Sequence, residues 1–207
     1  MEEELSKFSA IDIQQMEQRY RATFMNSLSG FKSVCLVGTI NKLQQTNLAI
    51  FNSLVHVGAN PPLVGFIVRP STTERHTLEN ILDTGYYTIN QITPAIYMQA
   101  HQTSARYDRQ ISEFDAVNLT SEFRDEFTAP FVKKSVVKFG LQFKEQIDFA
   151  INGTSFIIGE ITQVYLPKSI VEQDGFLDLE AAQTITCLGL GSYYTTKKLG
   201  RLPYAKP

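Results

Sequence analysis

The 207-residue chain has 43% hydrophobic and 19% charged residues, with 19 basic against 21 acidic side chains and a formal net charge of −2. A chain of this length buries about 70% of its unfolded surface, so one domain with its own core is expected, and the acidic balance disfavours a dedicated nucleic-acid binder. Two cysteines are too few for a disulfide framework and suit a reducing, cytoplasmic setting; no signal peptide is expected, and no apolar run approaches the roughly 18 residues of a membrane span.

The spacing of Ile13, Met16, Tyr20, Phe24 and Leu28 predicts one amphipathic helix of about five turns. Ser9 and Asp12 form its capping box, and Gly30 stops it. The run 34–40 is short and apolar, which predicts a strand buried on both faces and places Cys35 in the core. A second strand is expected over 46–56, interrupted in its apolar character by Asn47, Asn52 and Ser53. Pro61 and Pro62 break it, because neither donates a backbone hydrogen bond. A third strand follows over 63–68, a short helix over 77–82 ending near Gly85, and a fourth strand over 86–90.

Residues 93–104 read as helical after Pro94, and 106–131 as long loops with one short helix. Val137, Phe139, Leu141 and Phe143 alternate with Val136, Lys138, Gly140 and Gln142, which predicts a half-buried strand. Asn152-Gly153 is a hairpin signal, with both turn residues expected at positive φ. The Gly- and Tyr-rich tail from 189 reads as irregular. Six or seven strands in hairpin order with few helices predict a mainly β fold, a small antiparallel barrel with helical additions.

One stretch proposes chemistry. Arg69, Ser71, Thr72, Thr73, Arg75, His76 and Thr77 cluster between a strand and a helix start, a cradle suited to the phosphate of a bound cofactor. The chain has no Walker loop, no G-x-G-x-x-G after a strand and no G-x-S-x-G elbow. Its three histidines lie 20 and 25 residues apart, and no metal site is expected.

The order of the segments SGFKSVCLVGT (29–39), TNLAIFNSLVHVGANPPLVGFIVRP (46–70), HTLENILDTGYYTIN (76–90), HQTSARYDRQISEFDAVNLT (101–120) and GLGSYYTTKKLGRLPYAKP (189–207) resembles the flavin reductase-like family. The resemblance implies a Greek-key FMN-binding split β-barrel, homodimeric, with FMN at the dimer interface. Residues 29–207 would form that single domain, with 1–28 a tail and helix packed on it. Thr46, Asn47, Leu48 and Ala49 would follow the flavin ring, and Phe51, Asn52 and Ser53 would continue that wall. Arg69, Ser71, Arg75, His76 and Thr77 would lie near the phosphate. Relatives often carry an acidic residue or Lys where this chain has His76, with Arg75 able to compensate. His101, Ser104 and Arg106 would face the ring or an incoming nicotinamide, with His101 the one candidate for a catalytic role. Tyr193 and Tyr194 would close the far side.

Plainer readings stand beside these. Asn47, Asn52 and Ser53 would satisfy backbone groups at a strand edge, Phe51 would be core, His101 a surface residue, and Arg106 would pair with Asp108 or Glu113. The implied activity is an NAD(P)H-dependent flavin reductase, using NADH or NADPH as donor and passing electrons to a monooxygenase or redox protein. The alternatives are a flavoredoxin-like electron carrier with tightly held FMN, or a split-barrel dimer for haem or another phosphorylated planar ligand.

Overall fold

The computed structural model describes residues 4–70 and 75–206. Ser71, Thr72 and Thr73 therefore lie outside the described residues.

In chain order the elements begin with α1 (Ala10–Gln15), α2 (Gln18–Leu28), β1 (Lys32–Ser33), β2 (Cys35–Ile40), β3 (Thr46–Phe51), β4 (Val55–Ala59), β5 (Pro62–Val68), α3 (His76–Thr84) and β6 (Tyr86–Gln91). They continue with α4 (Tyr97–Gln102), α5 (Glu113–Ala116), β7 (Ser121–Glu122), β8 (Phe131–Val132), β9 (Lys138–Phe149), β10 (Thr154–Tyr165), β11 (Ile185–Leu188) and β12 (Ser192–Thr195). A 3-10 turn, Lys168–Ile170, follows β10.

Seven strands form the main sheet in the order β3-β2-β6-β9-β10-β5-β4, every pairing antiparallel. The two ends of that order, β3 and β4, are joined by residues 52–54 alone. Laid flat, strands six spacings apart would lie ~29 Å from each other. Four Cα steps span at most ~14 Å. The sheet must therefore curl until its edges meet, which makes it a barrel parted along the β3/β4 seam. Ser53 bridges the seam: its hydroxyl accepts from Ile67 N–H at 3.0 Å, where a further β4 residue would otherwise pair with β5.

β2 is buried along its whole length, and its sequence is apolar but for Thr39. Cys35 and Val37 face the barrel interior, with Phe66, Tyr87, Ile89, Leu141 and Ile157. Leu36 faces the other way, into a second core with Val34, Leu48, Ile96, Phe114 and Ile185, which α4, α5 and β11 cover. α3 plugs the barrel with Ile81 and ends on Gly85, whose φ of 76° supplies the left-handed cap.

Inside the barrel the Tyr87 hydroxyl is buried without a hydrogen-bond partner among the described residues. Burial raises its pKa, and a Cβ on Gly159 would sit 2.2 Å from its oxygen, so the ring fits only against a glycine. An unpaired buried hydroxyl costs about 1–3 kcal/mol. Tyr87→Phe is expected to keep the packing and hold or raise the thermal midpoint, and a clear fall in calorimetry would show that the hydroxyl has a partner.

Several expectations are corrected. The predicted single helix is two, because Met16 turns extended at ψ 140° and Glu17 caps α2 through its carboxylate to the amides of Arg19 and Tyr20. The predicted strand over 46–56 is likewise split into β3 and β4 by the seam. Helix α4 occupies only 97–102 of the predicted 93–104, and α3 runs longer than 77–82, to Thr84. The β9–β10 hairpin forms, yet only Gly153 of the Asn-Gly pair has positive φ, because the loop spans 150–153 and closes through Gly153 N–H to Phe149 O at 2.8 Å. The tail read as irregular contains β12, paired with β11.

Candidate functional site

One cavity of about 1130 Å³ runs along the seam. Its floor is β3, with Asn47, Ala49 and Phe51, and the connection carrying Asn52 and Ser53. One end is cationic, formed by Arg69, Arg75, His76 and Thr77 where β5 gives way to α3. A wall of residues 103–109, including Ser104, Arg106 and Arg109, adds Glu113 from α5. Another part of the wall is aromatic, with Phe31, His101 and Tyr193.

The cationic end is built for an anion. Helix α3 starts at His76, with Arg75 at the N-cap position, and the Arg75 side chain does not cap the helix. Arg75 is held on both sides: its N–H donates to Glu79 Oε1 at 3.0 Å, and Nη2 donates to Pro70 O at 3.1 Å. Its Nε is buried with no hydrogen-bond partner among the described residues. Arg109 forms an ion pair with Glu79, which fastens the 103–109 wall to the same helix turn. Beneath this end lies a buried polar cluster. Asn47 Nδ2 donates to Thr77 Oγ1 at 3.0 Å and Thr39 Oγ1 at 3.3 Å, and Asn80 Nδ2 donates to Thr39 Oγ1 at 3.1 Å. The cluster ties β2 and β3 to α3 and so fixes where the helix start points.

At the aromatic wall, His101 Nδ1 and the Tyr193 hydroxyl share a hydrogen bond of 2.8 Å, with the rings edge-on at 5.7 Å. Tyr97 packs on the other side of Tyr193, and partial burial raises the Tyr193 pKa. Tyr194 does not line the cavity; it packs edge-on against Phe31, which does.

Among the residues expected at the site, Asn47, Ala49, Phe51, Asn52, Ser53, Arg69, Arg75, His76, Thr77, His101, Ser104, Arg106 and Tyr193 line this one cavity. Two do not. Leu48 is buried in the second core, and the Thr46 hydroxyl is engaged with Ser112 Oγ at 2.7 Å. Strand alternation turns the Thr46 and Leu48 side chains to the opposite face from Asn47 and Ala49, while Ile50 further along β3 reaches the cavity. The polar residues also carry the plainer roles, since Asn52 Nδ2 donates to Gly189 O at 3.0 Å and Phe51 packs on Phe66 at 4.7 Å. Arg106 makes no ion pair with Asp108 or Glu113. Glu113, like Phe31 and Arg109, lines the cavity although the sequence reading left it out of the site. It is 6% exposed, borders the cavity and accepts from Leu48 N–H at 2.9 Å. Burial raises its pKa, while the Leu48 amide and the charge of His76 act in the opposite sense.

A parted antiparallel barrel with a long cavity at its seam, cationic at one end and aromatic at another, could hold an anionic, ring-bearing small molecule. Sequence comparison agrees: the flavin reductase like domain matches residues 30–182, and the chain belongs to that family. A crystal structure from Shewanella frigidimarina NCIMB 400, provisionally described as a flavin reductase with split barrel domain, superposes with a TM-score of 0.94 at 54% identity, covering 97% of this chain and 100% of that one. Nitrilotriacetate monooxygenase component B from Bacillus cereus shares the fold at a TM-score of 0.84 and 18% identity, over 97% of this chain and 100% of that one. An uncharacterized protein of Aquifex aeolicus (strain VF5) is 26% identical over 160 residues, 76% of this chain and 80% of its own. The fold is therefore a mainly β split barrel of the flavin reductase-like kind. Among the described residues no helix is long and apolar enough to cross a membrane.

Proposed function

We propose that the cavity binds FMN and that the protein is an NAD(P)H-dependent flavin reductase, working as a cytoplasmic homodimer. The observation that carries the reading is the buried Arg75 Nε, without a hydrogen-bond partner among the described residues, at the N-terminus of α3. A phosphate there would gain a charge-assisted bond and the helix dipole together. Arg69 lines the same end with no ion pair among the described residues and adds charge. The side chains of Asn47, Ala49, Phe51, Asn52 and Ser53 would flank the ring.

FMN supplies a two-electron acceptor whose hydride chemistry needs little acid–base help. What the protein contributes is orientation and exclusion of water. Pockets for single small ligands measure roughly 300–1,000 Å³. A cavity of about 1130 Å³ is just above that range, consistent with a second ring stacking beside the first, as hydride transfer from NADH or NADPH requires. His101, held in one orientation by Tyr193, and Ser104 with Arg106 would position the nicotinamide nucleotide. Reduced flavin would then pass to a monooxygenase or another redox protein.

The homodimer rests on the N-terminal arm. No residue of α1 or α2 is buried, although Phe8, Tyr20 and Phe24 cluster there, and Asn26 and Ser29 reach the cavity wall. In this reading residues 1–28 pack on the barrel domain of 29–207 and extend the apolar surface offered to a second copy.

The freshly purified protein is expected to show a flavin spectrum or to acquire one on adding FMN. It is then expected to oxidise NADH or NADPH only in the presence of flavin. Absence of turnover with both donors, in protein shown to hold FMN, removes the reductase reading. Light scattering that returned a monomer would remove the dimer.

A further inference from the structure

β3 is an edge strand: it pairs with β2 on one side only, and its other side presents unpaired backbone groups. One of these, Leu48 N–H, is covered by a carboxylate. Glu113 Oε2 accepts from it at 2.9 Å, and two residues earlier along β3 the Thr46 hydroxyl meets Ser112 Oγ at 2.7 Å. The start of α5 is thus pinned to β3 at two points. A neutral side chain would cap a strand edge as well, at far lower desolvation cost than a buried carboxylate.

The carboxylate has capacity to spare. An ionised carboxylate accepts about four hydrogen bonds. Beyond the Leu48 amide and the group's own backbone N–H, no described residue donates to it, and no described cation forms an ion pair with it. It is nonetheless on the cavity wall, beside the floor strand that would carry the ring. His76, at the start of α3, lines the same cavity, and its electrostatic effect on the carboxylate opposes that of burial.

We propose that Glu113 is the specificity residue for the ring: its carboxylate, aligned by Leu48 N–H, accepts a hydrogen bond from the imide N3–H of a bound isoalloxazine. This rests on the flavin reading of the cavity and adds which ring edge is recognised and by what. Phosphate affinity alone would admit many phosphorylated compounds. A buried acceptor selects those with a donor at this point, because a ligand lacking one leaves the carboxylate unpaired.

The test compares binding of FMN and 3-methyl-FMN, whose N3 carries a methyl group in place of the proton, by quenching of flavin fluorescence. Wild-type protein is expected to bind 3-methyl-FMN about 10- to 100-fold more weakly, the range for losing a hydrogen bond to a charged group. Glu113→Gln keeps an oxygen for Leu48 N–H and turns an amide NH2 toward the ring. It is expected to weaken FMN by about tenfold and to shrink the preference over 3-methyl-FMN to within about threefold. Equal binding of the two flavins by wild type overturns the proposal without any variant. So does a preference that survives intact in Glu113→Gln, since some other group then rejects the methyl. Failure of the wild type to bind FMN at all strikes the flavin reading instead, which keeps the two failures apart.

Discussion

Arg75→Ala is expected to weaken FMN binding by about 10- to 100-fold while leaving riboflavin, which lacks the phosphate, within about threefold of wild type. The guanidinium is already oriented before any ligand arrives, by Pro70 O on Nη2, and its backbone is fixed by Glu79. A phosphate meeting it pays little ordering entropy, and its Nε is out of water, so the bond is not diluted by solvent. Arg69→Ala should act more weakly. That side chain is exposed, and its attraction for an anion is screened by salt. Titration at two ionic strengths separates the two: the Arg69 effect shrinks at high salt and the Arg75 effect largely persists. Equal losses for FMN and riboflavin in Arg75→Ala would place the phosphate elsewhere.

How far the site could be read from the sequence depends on how local its causes are. The strand at 35–40 was legible because burial on both faces makes its run apolar but for Thr39, and the two cores on either side of β2 are that statement in space. The cationic end was legible because β5 and α3 are neighbours in the chain, which brings Arg69, Arg75 and His76 to one end of the cavity. The break at Met16 was hidden for the opposite reason. Ile13, Met16 and Tyr20 keep helical spacing across it, and only the Glu17 cap marks the new start. The seam at 52–54 was also hidden: Ser53 continues the ladder through its side chain, so the strand pattern runs on while the backbone leaves it.

Glu113 shows the limit most clearly. Its partner is Leu48, 65 residues away, and nothing in ISEFDAV distinguishes a carboxylate aimed at a strand edge from one on a solvated helix face. Tyr193 and His101 lie 92 residues apart, and each was named separately as a candidate. Their hydrogen bond is a product of β12 folding back over α4. Candidates of this kind can be proposed residue by residue, but the pairs among them come only from topology.

The largest effect on stability is expected far from the cavity, where β7 meets β9. Lys138 is 5% exposed, and its ammonium donates to Glu122 Oε2 at 2.8 Å and to the carbonyls of Val132 and Lys133 at 3.0 and 3.1 Å. Arg124 forks onto both oxygens of the same carboxylate at 2.8 Å. The Arg124 hydrogen bonds, with those of Lys138, hold the Glu122 pKa down to about 2. A carboxylate depressed in the folded state stabilises at pH values above its ordinary pKa, and that contribution is lost as pH falls through the folded value. Wild-type stability is therefore expected to decline from the usual carboxylate range down to about pH 2, and Glu122→Ala to lack that part of the decline. At neutral pH Glu122→Ala leaves the buried ammonium of Lys138 without its counter-charge, at a cost of about 3–5 kcal/mol. Adding Lys138→Met removes the stranded charge and is expected to recover most of the loss. Urea denaturation of the two variants with wild type, at neutral and acid pH, measures all of this; a single Glu122→Ala costing under about 1 kcal/mol would mean the pair behaves as a surface bridge.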